Sequence, residues 1–255
     1  MTRSLAFTRF AAIADIHGNS DALTAVLADI DALGIETIVN LGDHFSGPLA
    51  AAETAEILLS RDMLSIRGNH DCWILEVPRA EMGASDRVAA EQLTDEALEW
   101  LRSLKPSIGL QNQIFLCHGT PQDDSTYWME QVLPGGSMAM APLGPVERQA
   151  EGVDFPLILC AHSHTPRAMR ISGGRLLVNP GSVGCPGYTD DGHPIPHVVQ
   201  TGTPDASYAV LEIDGDSWRV TFRQVPYDSS RMARLASEAG RPDWARAVAT
   251  GWIRP

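Results

Sequence analysis

Residues 10–34, FAAIADIHGNSDALTAVLADIDALG, decide how the rest of the chain is read. Residues 10–16 are an apolar run of strand length that ends on Asp15-Ile16-His17. Residues 19–33 then place Leu23, Val26, Leu27 and Ile30 at helical spacing, and Gly34 stops the helix. A strand delivers a polar motif at its carboxyl end, and a helix follows. The unit recurs twice. Residues 37–41 predict a strand ending at Gly42-Asp43, with a helix opened by Pro48 and running to about Leu59. Residues 63–66 predict a third strand, which ends at Gly68-Asn69-His70-Asp71. Strand and helix in alternation specify an α/β fold, in which ligands gather outside the carboxyl ends of the strands.

The second half repeats the habit. Residues 113–117 form a strand ending at Cys117-His118-Gly119, and residues 156–160 form one ending at Ala161-His162-Ser163-His164. Beyond them the pattern turns β-rich, with runs at 168–171, 175–178, 208–213 and 218–225, so two packed sheets flanked by helices fit best. Residues 120–144 and 181–207 are expected to be long functional loops, since both are rich in glycine and proline. The tail from Tyr227 reads as two helices broken at Gly240-Arg241-Pro242, with Trp244 and Trp252 packing on the core. We expect one domain over 1–255, with 226–255 as a helical extension packed on it.

Composition narrows the functional classes. A content of 44% hydrophobic and 20% charged residues is ordinary for a globular chain. The net charge of −13 argues against a long nucleic acid as partner, because a phosphate backbone calls for a basic surface. No apolar run approaches the ~20 residues of a membrane span, and Arg9 and Asp15 interrupt the stretches a secretion signal would need, so a cytoplasmic location is the default expectation. Four cysteines lie scattered without C-x-x-C spacing, which indicates neither a disulfide framework nor a thiolate metal site.

The five polar motifs supply carboxylates, an amide and imidazoles from five separate segments, a combination suited to transition metals. Asp15 and Asp43 could each cap a helix, but capping accounts for neither His17 nor the other motifs. Two metals about 3.5–4 Å apart acidify a water and so supply a nucleophile at neutral pH, which points to a metal-dependent hydrolase. Nitrogen and oxygen donors without thiolate suit two ions of Mn, Fe, Zn or Co, with Mn favoured.

The series Asp15-x-His17, Gly42-Asp43, Gly68-Asn69-His70-Asp71, His118 and His162-x-His164 resembles the calcineurin-like metallophosphoesterase superfamily. His118-Gly119-Thr120-Pro121 and Asn179-Pro180-Gly181-Ser182 are similar to motifs of its small prokaryotic phosphodiesterase branch. The resemblance implies a four-layer αββα sandwich of two mixed sheets with outer helices. It implies one metal on Asp15, His17, Asp43 and His164, and a second on Asp43, Asn69, His118 and His162. It further implies in-line attack of a metal-bridging hydroxide on a small phosphate ester, with His70 protonating the leaving oxygen and Asp71 as its orienting partner. Arg67, Tyr127, Tyr188, His193 and His197 are candidates for substrate contact. His44 is assigned to a supporting position beside Asp43. The second motif lacks the Asp and Arg that follow it in protein Ser/Thr phosphatases, which disfavours that subclass, and Ala161 stands where relatives usually carry Gly. The alternative is a non-catalytic metal-binding scaffold of the same fold, against which the presence of His70 counts.

Overall fold

The structure is a computed structural model that describes residues 8–215 and 217–253, so residues 1–7, 216, 254 and 255 of the expected domain lie outside the described residues. In chain order, β1 (Arg9–Ile13), α1 (Ser20–Ala32), β2 (Ile38–Asn40), α2 (Ala51–Leu59), β3 (Leu64–Ser65) and α3 (Asn69–Glu76) realise the strand-then-helix unit three times. There follow α4 (Ala84–Gln92), α5 (Asp95–Ser103), β4 (Ser107–Leu110) and β5 (Ile114–Cys117). Next come a small hairpin of β6 (Glu130–Val132) and β7 (Met138–Met140), then α6 (Leu143–Gln149), β8 (Leu157–Leu159), β9 (Arg167–Arg170) and β10 (Leu176–Asn179). A second small hairpin, β11 (Gly187–Asp190) and β12 (His197–Gln200), leads into the long hairpin β13 (Ala206–Asp214) and β14 (Ser217–Val225). The described chain finishes with α7 (Ser230–Glu238) and α8 (Pro242–Thr250).

Two five-stranded mixed sheets result, in the orders β14-β13-β1-β2-β3 and β4-β5-β8-β10-β9. Strands β1, β2 and β3 run parallel in one sheet, as do β5, β8 and β10 in the other, with antiparallel partners outside them. Period-two alternation explains how the layers stack. Phe10, Ala12 and Ala14 face a core shared with Ile114, Leu116, Leu159 and Val178 of the second sheet, whereas Ala11 and Ile13 face Leu23, Val26 and Ile30 of α1. The opposite face of the second sheet carries Ile158 and Leu177 and is covered by Val146 of α6 together with Trp128 and Met129. Each fully buried aliphatic or aromatic side chain in these layers contributes about 1.5–3 kcal/mol. This is the expected sandwich of two mixed sheets flanked by helices, and its parallel strands all point their carboxyl ends toward one rim.

Local chemistry sets the turns. The side-chain oxygen of Asn19 accepts from the Ala22 N–H at 3.0 Å and caps α1, so capping falls to Asn19 and leaves Asp15 free. Gln111 and Asn112 take φ of 49° and 54° in the three-residue connection between β4 and β5, which the Gln113 N–H closes on Leu110 O at 2.8 Å. The stretches read as long loops, 120–144 and 181–207, each contain a short hairpin, and residues 84–103 hold two helices that apolar spacing did not reveal. In the tail, Met232, Ala236, Trp244 and Val248 pack on Leu49, Ala50 and Cys185, and Arg231 pairs with Asp21 and Glu53 at 2.6 and 2.7 Å. Trp252 corrects the expectation of core packing: it lies past the left-handed cap at Gly251, is 46% exposed, and covers Gly202. Among the described residues no helix is long and apolar enough to cross a membrane.

Candidate metal centre

The rim where the parallel strands end holds a backbone under strain. Asp15, His17, Asp43, His162 and His164 all have φ between 51° and 67°, and among the described residues they are five of the seven non-glycine residues with positive φ. A left-handed non-glycine residue costs roughly 1–3 kcal/mol and survives only where its surroundings over-determine it. Here they do. Asp15 N–H bonds Gly42 O, His17 N–H bonds Asp43 O, and Ala161 N–H bonds His118 O, at 3.0, 3.0 and 2.6 Å. Ser182 donates its hydroxyl to Asp15 O at 2.8 Å, which places the Asn179-Pro180-Gly181-Ser182 turn directly under the first motif. The glycine before Asn69 is a packing requirement: a Cβ on Gly68 would stand 2.2 Å from Asp43 Oδ1 and 2.8 Å from the His118 ring.

The strand-end loops gather two groups, Asp15 with His17 and His164, and Asp43 with His118 and His162; within each group the candidate ligand atoms lie within 4.8 Å of one another. Asp43 faces both groups, its Oδ2 lying 3.2 Å from His118 Nε2 and 3.8 Å from His17 Nε2. Histidine tautomers follow from the second nitrogen. Nδ1 of His17, His118 and His164 each donates to a backbone carbonyl, of Ser46, Leu41 and Cys185, at 2.7 Å. That turns Nε2 of each into the cluster, where it carries a lone pair whenever the ring is neutral. His17 Nε2 and His164 Nε2 stand 3.1 Å apart, and two lone pairs at that distance repel unless a cation or proton lies between them. His162 turns its Nε2 to Ser125 O at 3.0 Å, so Nδ1 is its nitrogen for the cluster.

Orphaned atoms point the same way. Both carboxylate oxygens of Asp15, Oδ1 of Asn69 and Nε2 of His118 are buried without a hydrogen-bond partner. Buried polar atoms are ordinarily paired, and unpaired ones aimed at a common centre fit divalent cations. Burial lowers the pKa of His17 to about 4 and that of His162 to about 3, and lowers that of His164 well below the usual histidine value. These imidazoles are therefore neutral, as ligands must be. His118 goes the other way: burial opposes its charge, but Asp43 and Asp15 overcome it and hold its pKa at about 10. The same pairing, against burial, keeps Asp43 well below the normal carboxylate range, whereas burial dominates for Asp15 and raises it. A cation arriving at Asp43 and His118 must displace that proton.

His70 opens α3 beside the cluster, with its ring edge-on to His17 at 5.5 Å and its N–H bonded to Asp43 Oδ1 at 3.0 Å. Its Nδ1 meets Oδ1 of Asp86 at 2.7 Å and the Ser46 hydroxyl at 3.1 Å. Burial disfavours a charge on His70, but Asp43, the Asp86 hydrogen bond and Asp71 outweigh it and raise its pKa.

The family model for the calcineurin-like phosphoesterase superfamily domain matches residues 9–216. The chain belongs to that superfamily. An uncharacterised protein of Methanocaldococcus jannaschii is 26% identical over 259 residues, covering 92% of this chain and 94% of that protein. A metallophosphoesterase from Sphaerobacter thermophilus superposes with a TM-score of 0.72 at 26% identity, over 96% of this chain and all of that one (100%). A hypothetical protein of Pyrococcus horikoshii shares the fold at a TM-score of 0.73 and 22% identity, over 96% and 98% of the two chains. Superfamily membership makes the chain a phosphoesterase-type hydrolase with candidate metal-binding His/Asp groups.

Within this superfamily site, the residues read from the sequence divide. Asp15, His17, Asp43, Asn69, His118, His162 and His164 come together with His70. Asp71 does not face His70, because adjacent residues on a helix point to different sides. Its carboxylate instead accepts from the N–H groups of Asp43, His44 and Gly68 and pairs with His44 Nδ1 at 2.7 Å, locking two motif loops together. A cavity of about 600 Å³ opens over the site, lined by Tyr127 and Tyr188 but by neither Arg67, His193 nor His197. Tyr127 stacks on His162 with ring centroids 5.0 Å apart, and its hydroxyl meets those of Tyr188 at 2.9 Å and His197 Nε2 at 3.0 Å. His197 and His193 thus stand behind Tyr127, and Arg67 is held by its N–H to Lys105 O.

Asp86, Trp73, Trp244 and Arg241 also line the cavity and were missed. Trp73 could have been found, since it sits three residues after His70 on α3 and their rings meet at 4.6 Å. Trp244 reaches the His17 ring at 5.9 Å from the far end of the chain, and Arg241 beside it is paired with Asp243 at 2.7 Å. Nothing in their local sequence signals the site.

Proposed function

We propose that the chain hydrolyses small phosphate esters with two transition-metal ions, one on Asp15, His17, Asp43 and His164 and the other on Asp43, Asn69, His118 and His162. The observation that carries this is the facing pair of imidazole nitrogens, His17 Nε2 and His164 Nε2 at 3.1 Å, beside the unpartnered oxygens of Asp15 and Asn69. When bound, such ions acidify water and neutralise the ester's oxygens. The chain's own residues do the rest. Carbonyl bonds to Nδ1 of His17, His118 and His164 fix the ring orientations before any ion arrives. His70 supplies a proton to the departing oxygen, and Tyr127 and Tyr188 wall the space for the ester's substituents. Mn is favoured among Mn, Fe, Zn and Co, which all suit nitrogen and oxygen donors. Acidic lining by Asp86, Asp190 and Asp191, with a net charge of −13, favours a small ester over a long nucleic acid.

Chelation and reloading test this. Purified protein stripped with EDTA is expected to lose turnover of bis(p-nitrophenyl) phosphate and of p-nitrophenyl phosphate, and Mn is expected to restore one or both. Thermal unfolding should report the same ions independently, with stability rising by about 2.7 kcal/mol at free metal a hundredfold above Kd. Because binding displaces a proton from His118, affinity near neutral pH should tighten by about tenfold per pH unit. Metal that stabilises without any turnover would favour the scaffold alternative.

A further inference from the structure

We propose that Asp86 is the positioning residue for His70 during ester hydrolysis, a role that rests on the phosphoesterase reading above. Asp86 belongs to none of the strand-end motifs. It lies in the first turn of α4, which packs on α2 and α3, and it is only 4% exposed although it borders the cavity. A carboxylate that deeply placed needs a partner. Its partner is the ring of His70, with Oδ1 at 2.7 Å from Nδ1, closer than the Ser46 hydroxyl at 3.1 Å on the same nitrogen. A charge-assisted bond of that length fixes both the ring's rotation and its tautomer. With Nδ1–H held by Asp86, Nε2 is the nitrogen available to the substrate.

The other carboxylates are committed elsewhere. Asp71 is filled by three backbone N–H groups and His44, and Asp43 binds the His70 backbone through Oδ1 while Oδ2 faces His118 and His17. In the step itself, hydroxide, formed when a water gives one proton to solvent, makes the new P–O bond as the bond to the leaving group breaks. That bond's electron pair goes to the leaving oxygen, which takes the proton from Nε2. His70 is left neutral, its Nδ1–H still donated to Asp86.

The test combines Asp86→Asn, His70→Ala and the double variant, all metal-loaded, on diphenyl phosphate and bis(p-nitrophenyl) phosphate. Asp86→Asn is expected to lower kcat about 10- to 100-fold on the poorer leaving group, less on p-nitrophenolate, with KM and metal content unchanged. In the His70→Ala background it should cost nothing further, because the two residues act as one unit. Independently of turnover, NMR should find a downfield His70 Nδ1 proton in the wild type that is absent from Asp86→Asn. Full activity of Asp86→Asn, an equal loss in the His70→Ala background, or persistence of that proton signal would each overturn the role. A wild type silent on both esters with its metals loaded would overturn the hydrolytic reading itself, and the role with it.

Discussion

His70→Ala is expected to lower kcat on diphenyl phosphate by about 10²–10⁴-fold while the protein keeps its full complement of metal. The separation of the two effects follows from the geometry. What His70 gives to the metal cluster is its backbone N–H, bonded to Asp43 Oδ1 at 3.0 Å, and alanine retains it. What alanine removes is a ring whose side chain is 27% exposed, at the border of the cavity and held by Asp86. A phenolate leaving group needs that proton, whereas p-nitrophenolate departs readily without it, so the loss on bis(p-nitrophenyl) phosphate should be smaller. Parallel loss of metal, measured by elemental analysis, would show that the imidazole is a ligand and that this division is wrong.

Asp43→Asn should be the more damaging substitution, abolishing stoichiometric metal binding and lowering turnover by at least about 10³-fold. The side chain is buried at 1% exposure, and one of its oxygens reaches toward both His17 and His118. An amide of the same size has one oxygen and no charge, and it cannot neutralise two cations from that position. A second penalty appears before any metal is added. His118 carries a proton matched by Asp43, so the variant leaves a buried imidazolium without its nearest counter-charge, and removing one partner of a buried pair costs about 3–5 kcal/mol. Thermal unfolding of the metal-free variant and elemental analysis after reloading measure the two penalties separately. Two tightly bound ions with near-normal turnover would remove Asp43 from the bridging position.

Strand ends were legible because their signal is local: a buried apolar run stopped by a polar motif, as at Ile13 to Asp15 or Leu159 to His162. Both sheets and the gathering of the motif residues follow from that pattern. Helices α4 and α5 were not legible, since their buried apolar residues are only Ala89 and Ala90 in the first and Ala97 and Leu101 in the second, and with α4 went Asp86. Asp71 was misread for a different reason. Neighbours in sequence suggested a pair, but helical geometry turns them apart and gives Asp71 to His44 and the motif loops. Trp244 and Arg241 reach the cavity only through the packing of α7 and α8, a long-range contact that no window of sequence contains.

The left-handed turns at the rim bear on how this protein would change under mutation. At most buried positions, loss of a side chain weakens the fold and the function together. At His17, His162 and His164 the two separate, because glycine would relieve the backbone at each site while deleting a neutral candidate ligand. A laboratory selection that rewarded heat resistance alone is therefore expected to favour glycine at these three places, at the expense of metal binding.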